Sequence, residues 1–582
     1  MASLNDVTKL YVATFNRAPD SAGLDYWVYS SGLTLEQIAQ SFFDQSETQS
    51  AYPAGTSNST FVNTIYNNLF NRDAEPAGLQ YWVGELDAGR VSRDTAILAF
   101  IGGALGDDAT ILTNKQTVGL SFYNNNLNDT TLARSVMSGI DATTASVTSA
   151  LNMISQNSGN GNATDISLVS ITADGTIGDS SSLSSSISSD GRYITFESYA
   201  TNLINGDTNA KEDIFLKDTQ TGTVSLISSS SSGTIGNDAS VSPVISADGR
   251  YVVFESYSSN LISGAGGISD VFLKDTQTGI TTLISQSIYG YGGNDDSYNT
   301  AISSDGRYVV FRSDASNLVN GDTNGYGDIF LRDTQTGITS LVSSSSSSEI
   351  GNRASWYPDI SADGNFVVFE SASSNIVAGD VPQIFDGIEL WFSDIFLKNT
   401  ITGAATLISS NSSGAFGNSD SFNASISSNG RYVVFDSTAT NLVSGDTNSQ
   451  SDIFLKDTQT GITTLISCTA AGEQGNNGSY SPSISADGRF VVFYTSATNF
   501  VSGDTNDNGD VFLKDTQTGA LELISKSSSG EIGNNRSIYP FISADGSYIT
   551  FSSEASNLVS NDTNGSFDVF IVGNPLYVDT LV

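Results

Sequence analysis

The sequence predicts two domains, an N-terminal all-α domain and a C-terminal all-β domain folded as a seven-bladed β-propeller. One segment recurs seven times in the C-terminal part at intervals of roughly 58 residues, a period typical of propeller blades. Before residue 155, apolar residues recur instead at helical spacing, as at Val7, Leu10 and Tyr11. At 582 residues the chain is also too long for one ordinary hydrophobic core.

The composition shifts place the domain boundaries. We expect a helical repeat domain at 1–155, a linker at 156–162 that is rich in Asn, Ser and Gly, the propeller at 163–575 and a C-terminal tail at 576–582.

Each copy of the repeat predicts the four strands of one blade. In the second copy, Pro243–Ser246 is a short strand, and the Asp-Gly pair at Asp248 predicts a tight turn. Tyr251–Ser256 and Val271–Lys274 predict two strands that are apolar on both faces, and Thr281–Ser285 predicts the outermost strand. Strands apolar on both faces must be covered on both, which neighbouring blades achieve in a closed ring.

The number of turns sets the number of blades. The Asp-Gly or Asn-Gly turn occurs at Asp190, Asp248, Asp305, Asp363, Asn429, Asp487 and Asp545. The seventh copy ends with its third strand at Asp568–Val572, whereas an unpaired outer-strand sequence, 165–170, precedes the first turn. We therefore expect residues 165–170 to complete the seventh blade and close the ring with both ends of the domain.

Two segments of the helical domain match each other, Leu10–Trp27 and Ile65–Trp82. Each predicts a helix that ends near an arginine, a turn with proline and an acid, and a second helix that carries Gly-Leu-x-Tyr-Trp. This part resembles the small helical repeat domain of unknown function found in secreted bacterial proteins, including surface-layer and type I-exported proteins. The resemblance implies export and an anchoring role at the cell wall or lipopolysaccharide.

The Tyr-Trp pairs of these two segments have two interpretations. They either pack in the helical core or attach the protein to a surface sugar, which requires at least one exposed ring. The four candidate attachment residues are Tyr26, Trp27, Tyr81 and Trp82.

The propeller repeats resemble the WD40-like repeat of TolB and its relatives. The shared features are Ser-x-Asp-Gly-Arg, a strand that carries phenylalanine and a strand that begins Asp-Ile-Phe or Asp-Val-Phe. The resemblance spans about residues 163–575 and implies the fold, because such propellers serve scaffolding, adhesion and catalysis alike.

Composition excludes several functions. The chain has no histidine and one cysteine, so catalytic triads with histidine, His-ligated zinc and an internal disulfide are excluded. A net charge of −39 argues against nucleic acid and anionic lipid as partners and favours divalent cations or simple solubility. No apolar stretch approaches the length of a transmembrane helix, and the N-terminal residues do not resemble a cleaved signal.

Five blades carry Asp-Thr-Asn between the second and third strands, followed by a closing aspartate at the start of the third. Oxygen ligands in a tight loop suit calcium, but the pattern also suits an Asx turn that caps backbone amides. Both interpretations stay open here. The candidate metal ligands are Asp207, Asn209, Asp213, Asp322, Asn324, Asp328, Asp446, Asn448, Asp452, Asp504, Asn506, Asp510, Asp562, Asn564 and Asp568.

The fourth copy is longer than the others because its loop contains an apolar insertion. We expect the insertion either to fold back onto the rim or to bind a partner, since exposed aromatic clusters often mark interfaces. Its candidate partner-binding residues are Ile384, Phe385, Ile388, Leu390, Trp391 and Phe392.

The leading functional hypothesis is a non-enzymatic, secreted bacterial cell-surface protein, a surface-layer or scaffold subunit that self-associates and is anchored by its helical domain. The alternative is a calcium-dependent adhesin or carbohydrate-binding protein that uses the Asp/Asn-rich rim, with cell-envelope polysaccharide as a partner. Catalysis is disfavoured because the acids recur equally around the ring. The acidity, the scarce cysteine and the apolar tail at 576–582 resemble substrates of type I secretion.

Overall fold

The computed structural model describes residues 3–53, 55–124, 127, 130–143, 146–147, 150, 154, 166–265, 267–381, 383–385, 388–504, 506, 508–560 and 562–577. The chain divides into two compact units, one within residues 1–163 and one within residues 164–578. The predicted linker at 156–162 and residues 578–582 of the tail lie outside the described residues. The fold class is confirmed: a helical region precedes a seven-bladed propeller.

The two matching sequence segments form two similar helix pairs. In both, a serine caps the first helix and an asparagine in the left-handed conformation ends it, with φ of 49° at Asn16 and 56° at Asn71. The second helix of the first pair changes to a π-helical turn at Tyr26–Ser30. The helices are α1 Leu4–Phe15, α2 Ser21–Asp25, α3 Leu35–Phe43, α4 Ser46–Ala51, α5 Asn58–Phe70, α6 Pro76–Asp87, α7 Arg93–Gly102, α8 Asp107–Asn124 and α9 Thr130–Met137.

Within the described part of the chain, no single helix is both long and apolar enough to cross a membrane. The sharply bent pair Arg93–Gly102 and Asp107–Tyr123 reaches that length and hydropathy only when its members are taken together.

Each propeller blade is an antiparallel sheet of four strands, and the first strand lines the central channel. The strands are, in blade 1, Ser182–Ile187, Tyr193–Ser198, Asp213–Asp218 and Val224–Leu226; in blade 2, Ser240–Ile245, Tyr251–Ser256, Asp270–Asp275 and Thr281–Leu283; in blade 3, Ser297–Ile302, Tyr308–Ser313, Asp328–Asp333 and Ile338–Leu341; in blade 4, Ser355–Ile360, Phe366–Ser371, Asp394–Asn399 and Ala405–Leu407; in blade 5, Ser421–Ile426, Tyr432–Ser437, Asp452–Asp457 and Thr463–Leu465; in blade 6, Ser479–Ile484, Phe490–Thr495, Asp510–Asp515 and Leu521–Leu523; and in blade 7, Ser537–Ile542, Tyr548–Ser553, Asp568–Gly573 and, from the N-terminal side, Ser167–Leu168.

The seventh blade is completed by the N-terminal end of the domain. Ser167 pairs with Ile571 and Leu168 with Phe570, so the outermost strand of this blade comes from before blade 1. The paired segment is shorter than the expected 165–170, and Asp165 lies outside the described residues. The Val169 amide extends the contact by donating to the Val569 carbonyl at 2.8 Å.

Buried aromatic pairs hold the second and third strands together in every blade. A phenylalanine from each strand faces the other across centroid distances of 5.7–6.4 Å, and these rings are fully buried. Apolar side chains from adjacent blades join the same clusters. Neighbouring blades therefore cover both faces of these strands, as the sequence predicts.

Candidate functional site

The asparagine of the Asp-Thr-Asn loop joins two blades. In blade 3, the Asn324 Oδ1 atom accepts from the Tyr326 backbone N–H at 2.9 Å. Its Nδ2 atom donates to the Gly351 carbonyl at 2.9 Å and to Asp328 Oδ2 at 2.7 Å. Because one end of the amide only accepts and the other only donates, these partners fix its orientation.

The same Asx turn and the same bridge to a glycine carbonyl between blades recur in the other four loops. The bridges join Asn209 to Gly236, Asn448 to Gly475, Asn506 to Gly533 and Asn564 to Gly178. The glycine of the Gly-Asn or Gly-Asp segment between blades is thus the acceptor that ties each loop to its neighbour.

The closing aspartate joins the third strand to the outermost strand in all seven blades, including blades 2 and 4, which lack Asp-Thr-Asn. A serine hydroxyl donates to it in the pairs Ser228–Asp213, Ser285–Asp270, Ser343–Asp328, Ser409–Asp394, Ser467–Asp452, Ser525–Asp510 and Ser170–Asp568. Burial raises the pKa of Asp328 and of Asp394 to about 7. These contacts are those of a structural residue.

The opening aspartate of the loop makes fewer hydrogen bonds than the closing one. Burial raises the pKa of Asp207 and of Asp562, against the lowering effect of the backbone N–H of the loop asparagine. One enclosed oxygen of Asp207, of Asp446 and of Asp562 has no hydrogen-bond partner in the described structure. Across the described residues, no group of three or more acidic or cysteine side chains is arranged to hold a metal, so each loop offers at most two carboxylates.

The fifth residue of the second strand in each of the seven blades contributes to a ring of side chains near the mouth of the central channel. Around the ring it is Glu197, Glu255, Arg312, Glu370, Asp436, Tyr494 and Ser552. Four of these are acids that accept the backbone N–H of a residue in the next blade: Glu197 from Ser242 at 2.7 Å, Glu255 from Asn299 at 2.8 Å, Glu370 from Asn423 at 2.6 Å and Asp436 from Ser481 at 3.2 Å.

The accepting acids meet a bulge in the first strand of the next blade. Asn299 and Asn423 have φ of 52° and 49° there, and both line a channel cavity of about 480 Å³. Burial raises the pKa of Glu255 and of Glu370 to about 8. The ring therefore holds proton-binding carboxyls at a seam between blades.

Blade 3 breaks the symmetry of this ring. The Arg312 guanidinium lies over the rings of Tyr298 and Trp356, at 4.7 and 5.4 Å from their centroids, and its Nη2 donates to Asp314 at 2.9 Å. A Cβ at Gly327 would collide with Arg312 and Asp314, so the glycine makes room for the arginine. Sequence reasoning missed this ring, although its position varies between otherwise similar repeats.

Four tyrosines around the acidic loops and the channel are about half exposed. They are Tyr199, Tyr257, Tyr357 and Tyr539. The last two belong to the channel lining, at the bulges of blades 4 and 7.

The apolar insertion of blade 4 forms a small hairpin, Gln383–Phe385 with Ile388–Leu390. The side chains of Ile384, Phe385, Ile388 and Leu390 lie outside the described part of the structure. Trp391 is half-buried, with its ring 4.6 Å from the Arg353 guanidinium. This tryptophan therefore packs on the connection between blades 3 and 4.

In each Tyr-Trp pair of the helical domain, the tryptophan packs on the core and the tyrosine is exposed. Trp27 packs on Phe42 at 5.3 Å and Trp82 on Phe100 at 4.9 Å between centroids, so both indoles belong to the core. Tyr26 is 53% exposed and Tyr81 is 59% exposed. Each tyrosine meets the adjacent tryptophan edge-on, at 5.0 and 5.1 Å. The exposed rings that a sugar-binding role requires are present.

These observations define a seven-bladed β-propeller that follows a helical domain. Residues 39–104 match the family model described as a domain of unknown function, DUF4214. Among curated proteins, none matches this chain in sequence.

Several solved structures resemble the chain. TolB from Acinetobacter baumannii is 18% identical with a TM-score of 0.32, and the match covers 55% of this chain and only 61% of that protein. A putative TolB from Agrobacterium tumefaciens is 16% identical with a TM-score of 0.33, covering 62% of this chain and 98% of that one. Oligogalacturonate lyase from Vibrio parahaemolyticus is 12% identical with a TM-score of 0.40, covering 71% and 91%. These neighbours do not decide whether the chain is an enzyme.

Proposed function

We propose that the protein is a non-enzymatic scaffold of the bacterial cell exterior, a surface-layer or related subunit that self-associates and is attached through its helical domain. The proposal rests on the hydrogen bonds that the polar side chains of the propeller make. The asparagine amides, the closing aspartates and the acids near the channel are bonded to neighbouring strands or blades. Such side chains stabilise a ring rather than attack a substrate.

The attachment role is supported by the duplicated Tyr-Trp pairs. Each presents a tyrosine ring to solvent beside a tryptophan that packs on the helical core, and aromatic rings suit the apolar faces of sugars. The partner class in this proposal is cell-envelope polysaccharide. Export, by a type I route that uses the C-terminal tail at 576–582, is part of the same proposal.

The scaffold role is tested by electron microscopy of the purified full-length protein with and without calcium. Ordered sheets or arrays would support it. Particles that stay monomeric at every protein and calcium concentration would count against it.

Attachment is tested by sedimenting the full-length protein with isolated cell-envelope polysaccharide. The double variant Tyr26→Ala and Tyr81→Ala should lose co-sedimentation while its thermal midpoint stays unchanged. Tyr289→Ala is the matched control, because that tyrosine is 74% exposed on the propeller. Equal loss in the control would refute a specific role for the helical domain.

A second candidate is a calcium-dependent adhesin or carbohydrate-binding protein that uses the acidic rim. It is favoured by the exposed Tyr357 and Tyr539 at the channel, since carbohydrate sites combine aromatic rings with acidic and amide groups. Glycan-array binding by the full chain that Tyr357→Ala and Tyr539→Ala abolish would favour this candidate. Binding that persists in both variants would locate the glycan site elsewhere.

A further inference from the structure

Blade 5 contains a natural bridge between the two aspartates of its loop. The Gln474 side-chain amide donates from one atom, Nε2, to Asp446 Oδ1 at 2.9 Å and to Asp452 Oδ2 at 2.7 Å. The opening and closing carboxylates therefore lie close enough for the two N–H groups of one side-chain amide to donate to both. The protein itself supplies the donor in this blade.

Blade 7 has the same two aspartates without the bridge. The residue that corresponds to Gln474 is Ile177, which precedes Gly178 as Gln474 precedes Gly475 and makes the equivalent β-bridge. Isoleucine has no donor. Asp562 is 6% exposed and Asp568 is fully buried, and one oxygen of each is enclosed without a hydrogen-bond partner among the described residues.

The neighbouring side-chain donors of blade 7 are Ser170 and Asn564. Ser170 donates to Asp568 Oδ1. Asn564 donates through Nδ2 to the Gly178 carbonyl at 3.0 Å, and its Oδ1 accepts the Ser566 amide at 2.9 Å. In blades 1, 3 and 6, by contrast, the loop asparagine donates to the second oxygen of the closing aspartate at 2.7, 2.7 and 3.2 Å. In blade 7 the Asn564 side chain also interacts with Asp568, but one enclosed oxygen of Asp562 and one of Asp568 have no hydrogen-bond partner among the described residues.

Two buried carboxylates with free acceptors side by side are costly, because each has lost its hydration without replacement. A hard cation with oxygen ligands relieves both costs at once. Calcium suits such a site because it accepts carboxylate, carbonyl and water oxygens in flexible geometry.

We propose that a calcium ion bridges Asp562 and Asp568 and locks the seam where the two ends of the propeller meet. Asp568 begins the strand that pairs with Ser167–Leu168, and Asn564 contacts Gly178 across the same seam. The ion occupies in blade 7 the place that the Gln474 amide fills in blade 5. This proposal does not depend on the scaffold role, since failure to form arrays would leave the site intact.

The test is thermal unfolding of the full-length protein, freed of metal with a chelator and titrated with calcium alone. Two carboxylates and few protein ligands predict a dissociation constant on the order of 10⁻⁴–10⁻³ M. A ligand that binds only the folded state raises the propeller's unfolding midpoint. Asp562→Asn and Asp568→Asn should abolish that rise, whereas Asp446→Asn should keep it because Gln474 already serves that loop.

A second variant places a glutamine in blade 7 where Gln474 stands in blade 5, and it tests the site even if the aspartate variants fold poorly. Ile177→Gln should raise the midpoint without calcium and cancel the calcium-dependent rise, and Ile177→Leu should behave as wild type. The proposal is overturned if calcium does not shift the wild-type midpoint, or if Asp562→Asn shifts as much as wild type. A shared proton is the alternative bridge, and it predicts no calcium shift at all.

Discussion

Replacing Glu370 by glutamine is expected to remove a penalty that the propeller bears at neutral and alkaline pH. Glu370 is almost fully buried and accepts the Asn423 amide at 2.6 Å. Burial, with a smaller contribution from the nearby Asp436 charge, raises its pKa from 4.5 to about 8. Glutamine keeps the accepting oxygen and carries no charge at any pH.

The magnitude follows from the shift in pKa. The folded state holds a proton that the unfolded chain releases above pH 4.5, so stability falls as the pH rises from about 4.5 to about 8 and is constant above that. At about 1.4 kcal/mol per unit, the upper limit of the penalty is roughly 4–5 kcal/mol. Glu370→Gln should therefore match wild type near pH 4.5 and exceed it increasingly towards pH 8.

The assay is urea unfolding of the full-length protein at several pH values, followed by the far-ultraviolet signal of the sheets. Glu522→Gln is the matched control, because the Glu522 side chain is 41% exposed. Its stability curve should run parallel to that of wild type. Parallel curves for Glu370→Gln as well would refute the reasoning, because they would mean that Glu370 ionises as readily in the folded as in the unfolded state.

Three further outcomes are expected. Gly249→Ala should destabilise the propeller by well over the roughly 1 kcal/mol expected of Gly279→Ala. Both glycines have positive φ, but only at Gly249 would a Cβ collide with a neighbour, the Tyr193 ring. The urea midpoints of the two variants test this difference. Asn324→Ala should cost about 1–3 kcal/mol in the same assay, since it leaves buried partners unpaired. Burial lowers the pKa of Lys115 from 10.5 to about 8, so the stability of the helical domain should rise between pH 8 and pH 10.5, and Lys115→Met should flatten that rise in thermal scans.

The architecture was predictable from the sequence because the repeat carries it in local patterns. The Asp-Gly turns, the strands apolar on both faces and the missing seventh outer strand depend on residues near one another in the chain. The same holds for the helix pairs, whose asparagine caps and Tyr-Trp positions recur at the same places in both copies.

The roles of individual side chains were less predictable because they depend on contacts between blades. The sequence left the Asp-Thr-Asn loops open between calcium and turn capping, and the partners of Asn324 in another strand and another blade emerge only in the folded ring. The ring that contains Glu370 and Arg312 was missed because its members lie far apart in sequence. Only variation at one position within an otherwise regular repeat pointed to it.

The strand Ser167–Leu168 also determines the order in which the propeller can be built. Within a blade, partner strands are close in sequence, so six blades can form from local contacts. The contact between Ser170 and Asp568 joins residues 398 positions apart. Loop-closure entropy grows only slowly with length, about 0.6 kcal/mol per doubling, so this late contact is affordable once the other blades have shortened the gap. Because this contact has by far the longest sequence separation within the blade, we expect the pairing of Ser167–Leu168 to form late in folding.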